Sequence, residues 1–192
     1  MSGNKSLNGL RVAILANDGV EDAELREPRE ALDKIGAKTM LIAPKQGNIQ
    51  SFKHFNKADQ FKVDRLLGDA DPKEFDAVLL PGGALNADTL RVQSRAQEFV
   101  REMDRQGKPI AVICHAPWLL ISAGLVKGRT MTSYHTIQDD VRNAGGKWQD
   151  EGVVRDRNWV SSRQPSDIPA FNQGMIELFS EKIGSEKIRP AA

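Results

Sequence analysis

The residues best suited to chemistry sit in one stretch, Pro109-Ile110-Ala111-Val112-Ile113-Cys114-His115-Ala116-Pro117-Trp118, which holds the only cysteine of the 192 residues. A thiol becomes a nucleophile when a neighbouring base takes its proton, and an imidazole follows Cys114 directly. Ile110 to Ile113 is apolar and mostly β-branched, the composition of a central strand covered on both faces. Pro117 lacks an N–H and suits the first turn of a helix, and Gly124 ends the run from Trp118 to Ala123. Cys114 is therefore expected on a strand–turn–helix corner, the geometry that lifts a nucleophile out of a parallel sheet. There the helix dipole and free amides favour the thiolate. The competing reading is a cysteine that acts only as a small buried hydrophobe.

Three further groups belong with Cys114 if the chain forms an α/β sheet, because sites in such sheets gather beyond the C-terminal strand ends. Gly82-Gly83 follows an apolar run and permits close backbone approach, so the Gly83 N–H and the N–H of His115 can bind an oxyanion. An ordinary tight turn is the alternative. Glu21 reads first as a helix-start residue favoured by the dipole, and second as a carboxyl that tunes the sulfur. His115 is the evident base, but neighbouring side chains diverge at a turn and a third group must fix its tautomer. Asp88, from the same chain or a second subunit, is the candidate, against the plainer reading of a solvated helix start. His54 and His135 read as surface or strand-end residues, and Trp118 as a pocket wall or packing residue.

The elements that must position these groups follow from periodicity. Residues 10–16, 38–43, 76–80, 110–113 and 129–134 are expected as strands. Between them, Leu25, Pro28, Leu32 and Ile35 mark one helix face, and Ala96, Phe99, Val100 and Met103 another. Pro28 must lie within the first two turns or kink its helix. Residues 49–55 and 60–66 read as a hairpin around a loop at 56–59, packed through Phe52, Phe55 and Phe61. Strand-like runs at 152–154 and 159–161 flank a turn at 156–158, and a last helix follows Ser166-Asp167 with Phe171, Met175, Leu178 and Phe179 on one face. Strands alternating with helices imply a mostly parallel α/β sheet with helices on both faces. We expect a single domain over residues 10–183, with flexible tails at 1–9 and 184–192.

Bulk properties narrow the function. The 27 basic and 26 acidic residues leave a net charge of +1. No Lys/Arg run interleaves with aromatics, so neither nucleic acid nor an anionic membrane is the expected partner. No apolar run approaches the roughly 20 residues of a membrane span, and no signal-peptide segment opens the chain. One cysteine precludes an internal disulfide and points to a cytoplasmic setting. None of the three histidines has metal-ligand spacing with Cys114, so neither a metal nor a cofactor is expected.

Four blocks, AVICHAPWLLISAGLVKGRTMTSY, LLPGGALNADTL, ANDGVEDAEL and NWVSSRQPSD, resemble the ThiJ/PfpI superfamily over about residues 10–181. The branch they are most similar to is that of the PfpI intracellular protease and general stress proteins. The resemblance implies a flavodoxin-like three-layer sandwich, similar to class I glutamine amidotransferases, with the hairpin as an addition. It implies a reactive Cys114, an acid contacting its sulfur, here Glu21, and His115 as catalytic histidine. It also implies a homo-oligomer, a dimer or higher, with an acidic third member supplied across the interface. That member is a glutamate in the protease branch, and Asp88 stands near its place. The implied substrates are small carbonyl compounds or peptides, through hydrolase or deglycase-like chemistry. The implied alternative is an oxidative-stress sensor working through oxidation of Cys114, and a module with an inert thiol is the third reading.

Overall fold

A computed structural model describes residues 6–187. Its centre is a seven-stranded sheet of short runs, of which Ala77–Leu80, Ile110–Ile113 and Trp159–Ser162 are buried throughout. β1 (Arg11–Leu15) starts the chain's regular structure, and β2 (Val20–Glu21) leads into α1 (Asp22–Lys34). β3 (Lys38–Ala43) is followed by β4 (Asn48–Lys53), β5 (Asn56–Lys62) and β6 (Arg65–Leu66). β7 (Ala77–Leu80) precedes α2 (Ala84–Arg91) and α3 (Ser94–Arg105), and β8 (Ile110–Ile113) precedes α4 (Pro117–Ser122). Then come β9 (Thr130–Met131), α5 (Gln138–Asn143), β10 (Lys147–Trp148), β11 (Val153–Asp156), β12 (Trp159–Ser162) and α6 (Ile168–Lys187).

The sheet order is β11-β12-β8-β7-β1-β3-β6, parallel except for the antiparallel edge strand β11. Alternation of side chains along each strand divides the core in two. Val12, Ile14, Leu79 and Ile113 face one layer, with Leu25 and Leu32 of α1 and Phe171 and Met175 of α6. Ala13, Leu15, Val78, Leu80 and Val112 face the other, with Phe99, Val100 and Met103 of α3 and Leu119 and Leu120 of α4. This is the expected three-layer α/β sandwich with a mostly parallel sheet.

Several local expectations change. The hairpin turns at His54-Phe55 rather than at 56–59, with His54 at φ 58°, and it belongs to a separate three-stranded sheet, β2-β4-β5. β6 leaves the hairpin and pairs with β3 instead. Phe52 and Phe61 are half-buried, but Phe55 is 98 % exposed at the tip, because a two-residue turn has no layer above it. Of the run 129–134 only two residues form a strand, and they pair with β10 outside the main sheet. Pro28 lies inside α1, which continues to Lys34. Leu7, placed in a flexible tail by the sequence, is fully buried, and its amide donates to the Ile35 carbonyl. Residues 184–187 continue α6, whereas the tail residues 1–5 and 188–192 lie outside the described residues.

Candidate functional site

The C-terminal ends of the adjacent strands β7, β8 and β12 converge on one cavity of about 600 Å³, with the β2–α1 junction as a further wall. β8 ends at Ile113, and Cys114 turns the chain with φ 64°, a left-handed conformation costing a non-glycine residue about 1–2 kcal/mol. Two backbone bonds hold it there. The Cys114 N–H donates to the Ser162 carbonyl at the end of β12, and its carbonyl accepts from the Tyr134 N–H. The Ala116 N–H closes the corner onto the Ile113 carbonyl, and Pro117 starts α4. The corner projects the sulfur toward the cavity while leaving the residue only 7 % exposed.

The backbone N–H groups of Gly83 and His115 both donate to this sulfur. Gly83, at φ 89°, packs on the backbone of Val20 and Glu21, a contact open only to glycine. Gly82 is equally confined: a Cβ there would strike the Cys114 Cβ at 2.5 Å and the Glu24 carboxyl.

The acid at the sulfur is Glu24, not Glu21. Glu24 is fully buried in the first turn of α1, and its Oε2 accepts from the Gly82 N–H at 3.0 Å. The carboxyl also faces the Cys114 thiol, and each group perturbs the other. Its Oε1 is buried without an aligned hydrogen-bond partner. Burial, then the charge of Glu21, push its pKa up to about 8, against the pull of the Cys114 and Gly82 hydrogen bonds. Glu21 ends β2 one turn earlier, so its side chain leaves the sheet edge and accepts from the His54 N–H of the hairpin tip at 3.1 Å. What separates the two is where the helix starts: Glu21 caps α1 with an extended backbone, and Glu24 stands in its first turn beside the buried Leu25. Apolar spacing does not single out Glu24, because Glu21 also stands four and seven residues before the buried Leu25 and Pro28.

His115 does reach the sulfur, with Nδ1 3.1 Å from Sγ. Its Nε2 lies 3.3 Å from the Thr136 hydroxyl, a partner absent from the sequence argument. The ring stacks on Tyr134 at 4.9 Å and meets the edge of Trp118 at 5.3 Å. Burial, then a charge on His135, lower its pKa, so the ring is neutral at pH 7. Asp88 is exposed on α2 and does not line the cavity, so the place beside Nε2 belongs within this chain to Thr136. Trp118 lies behind the site, its Nε1–H donating to Asp140 at 2.7 Å.

The thiol is less acidic than its position at a helix start suggests. Burial pushes the Cys114 pKa up, and an ionised Glu24 pushes it further, while the two amides pull it down. α4 has only six residues, too short a dipole to offset burial. Below pH 8 Glu24 is protonated, so its charge is removed and its proton favours the thiolate instead. Among the described residues no group of three His, Cys, Asp or Glu side chains could hold a metal ion.

A family model described as DJ-1/PfpI matches residues 10–178. The chain belongs to the DJ-1/PfpI family. Deglycase PfpI of Pyrococcus furiosus is 41 % identical, over 88 % of this chain and 99 % of that protein. Protein/nucleic acid deglycase 2 of Escherichia coli is 38 % identical, over 88 % and 96 %. That relative's name includes nucleic acid, so the expectation that nucleic acid is not a partner is withdrawn. Among solved structures, the DJ-1/ThiJ/PfpI-like and ferritin-like two-domain protein of Anabaena variabilis superposes with a TM-score of 0.83 at 32 % identity. It aligns over 88 % of this chain and 47 % of that one. Drosophila melanogaster DJ-1beta shares the fold, with a TM-score of 0.80 at 23 % identity over 94 % and 99 % of the two chains. Among the described residues of this DJ-1/PfpI chain, no helix is long and apolar enough to cross a membrane.

Proposed function

We propose that this DJ-1/PfpI protein is a cysteine-dependent hydrolase of the deglycase type, acting on carbonyl adducts of small molecules, proteins or nucleic acid. The observation that carries the reading is the Cys114 corner: a strained nucleophile position with two amides and a buried acid directed at one sulfur. A neutral His115 accepts the thiol proton through Nδ1, and the sulfur attacks the electrophilic carbon of the adduct. The Gly83 and His115 amides, which donate to the sulfur at rest, stand within reach of an oxygen on the carbon that the sulfur attacks. His115 returns the proton to the departing amine or thiol, and water then releases the carbonyl fragment from sulfur. Glu24, protonated near neutral pH, supports the thiolate without repelling it. The relatives named deglycases support this chemistry over peptide hydrolysis. The reading places the protein among cytoplasmic stress-response proteins that act as homo-oligomers. Any contribution of Asp88 to His115 then comes from a second copy.

One feature favours a second reading, a sensor of oxidation. Glu24 Oε1 is buried and unpartnered beside the sulfur, ready to donate its proton to an oxygen added to Cys114. One experiment separates the two. Release of amine from a methylglyoxal adduct is measured for the wild type and Cys114→Ala, alongside intact mass after mild peroxide. Turnover that disappears in the variant supports the hydrolase. A gain of one or two oxygens without turnover supports the sensor. Wild-type rates in Cys114→Ala refute the hydrolase, and the absence of any oxygen gain at Cys114 refutes the sensor.

A further inference from the structure

The cavity has a one-sided charge. No Lys or Arg is among the residues that line it, and its two carboxyls are Glu21 and Glu24. Glu24 is uncharged near neutral pH, its acidity suppressed by burial and by Glu21. Glu21 is half-exposed, and its carboxylate accepts from the backbone N–H of His54. Cations on the flanking segments are engaged elsewhere. Lys45 pairs with Asp18 at 2.7 Å, and Arg26 bridges Asp22 at 2.9 Å and Asp59 at 2.7 Å. Lys53 and Lys57 of the hairpin are exposed and do not line the cavity. The imidazoles of His54 and His115 also line the cavity, the latter as a neutral ring, and Tyr134, Gln164 and Ser166 add polar groups without a fixed positive charge. The negative charge of Glu21 is thus left for whatever enters.

We propose that Glu21 is a specificity-determining residue, selecting carbonyl adducts carried on a cationic guanidino or amino group over the same adducts carried on a neutral thiol. The inference rests on the deglycase reading and names the substrate class within it. When Cys114 engages the adduct carbon, the group bearing the adduct projects toward the cavity mouth, where Glu21 and the hairpin tip form the wall. A cation there meets a carboxylate in a half-enclosed, partly dehydrated space, and a neutral thioether-like carrier gains nothing from it. The tip residue Phe55, 98 % exposed on the same rim, offers an apolar face to the carrier's methylene chain.

The test compares methylglyoxal adducts of capped arginine amide and capped cysteine amide, each corrected for uncatalysed dissociation. The quantity is the arginine-to-cysteine ratio of kcat/KM in the wild type, Glu21→Gln and Glu21→Asp. Glu21→Gln also makes Glu24 more acidic, but that change acts on both substrates and cancels in the ratio. The expected result is a ratio that falls roughly fivefold to twentyfold in Glu21→Gln, is partly kept in Glu21→Asp, and shrinks with added salt in the wild type. An unchanged ratio, with both rates lowered equally, overturns this inference and leaves the deglycase reading standing. Turnover of neither adduct by the wild type overturns the deglycase reading itself, and the inference falls with it.

Discussion

Glu24 makes the stability of this protein depend on pH in a direction opposite to that of most carboxylates. Its pKa rises from an ordinary 4.5 to about 8 in the folded chain, chiefly through burial. Between those values the native state holds a proton that the unfolded state has lost, so stability falls as pH rises. The contribution is fully present below about pH 4.5 and is lost as pH climbs through about 8. The whole shift corresponds to about 5 kcal/mol, at about 1.4 kcal/mol per unit. Between about pH 5 and pH 7.5 the loss is about 3 kcal/mol, a window below the range in which an unfolded thiol ionises. Urea denaturation at four pH values across this window, for the wild type and Glu24→Gln, measures it. Gln keeps an acceptor for the Gly82 N–H and carries no charge, so the variant should lose this falling component, keep only the opposite one that His115, held below its ordinary pKa, contributes, and overtake the wild type at the alkaline end. A wild-type slope no more falling than that of Glu24→Gln would refute the account of Glu24 as a buried, protonated acid.

Two further substitutions examine the rest of the site. Gly82→Ala places a Cβ 2.9 Å from the Ile113 carbonyl as well as against Cys114 and Glu24, and should destabilise the fold by about 1–3 kcal/mol in the same denaturation assay. Thr136→Val removes the partner of His115 Nε2 on an exposed residue, where folding is little affected. It should lower kcat on an adduct about 2- to 10-fold while KM holds, with Thr136→Ser restoring the rate, as expected for one neutral hydrogen bond.

The parts of this structure that a sequence reading reaches are those dictated by near neighbours. The buried strands, the stripe of Ala96, Phe99, Val100 and Met103, and the Ile113–Pro117 corner depend on apolar spacing and turn chemistry within a few residues. Glu24 escaped because the helix start at Asp22 decides which of two acidic residues points inward, and helix starts are the least defined feature of a pattern. Apolar spacing could not decide between them, because Glu21 stands four residues before Leu25 and seven before Pro28, as much in phase with the buried stripe as Glu24. Thr136 escaped for a different reason. The run 129–134 looks like a main-sheet strand, but the main-sheet place beside β8 is taken by β12, later in the chain. That leaves Thr136 in a short turn of helix beside His115. Phe55 reads as core by composition, and only the tight turn at His54-Phe55 carries it into solvent.

The ends of the seven-stranded sheet bear on how the protein meets itself. One end is β6, two residues long, and the other is β11, antiparallel and carrying Arg155 and Asp156. A short strand offers few unpaired amides, and a charged one resists docking, so neither border is a template for another strand. Growth by adding sheet to sheet, the route to fibres, is closed at both borders. The proposed association of copies would then use helix surfaces or the projecting hairpin, contacts that can close into finite assemblies rather than run on without end.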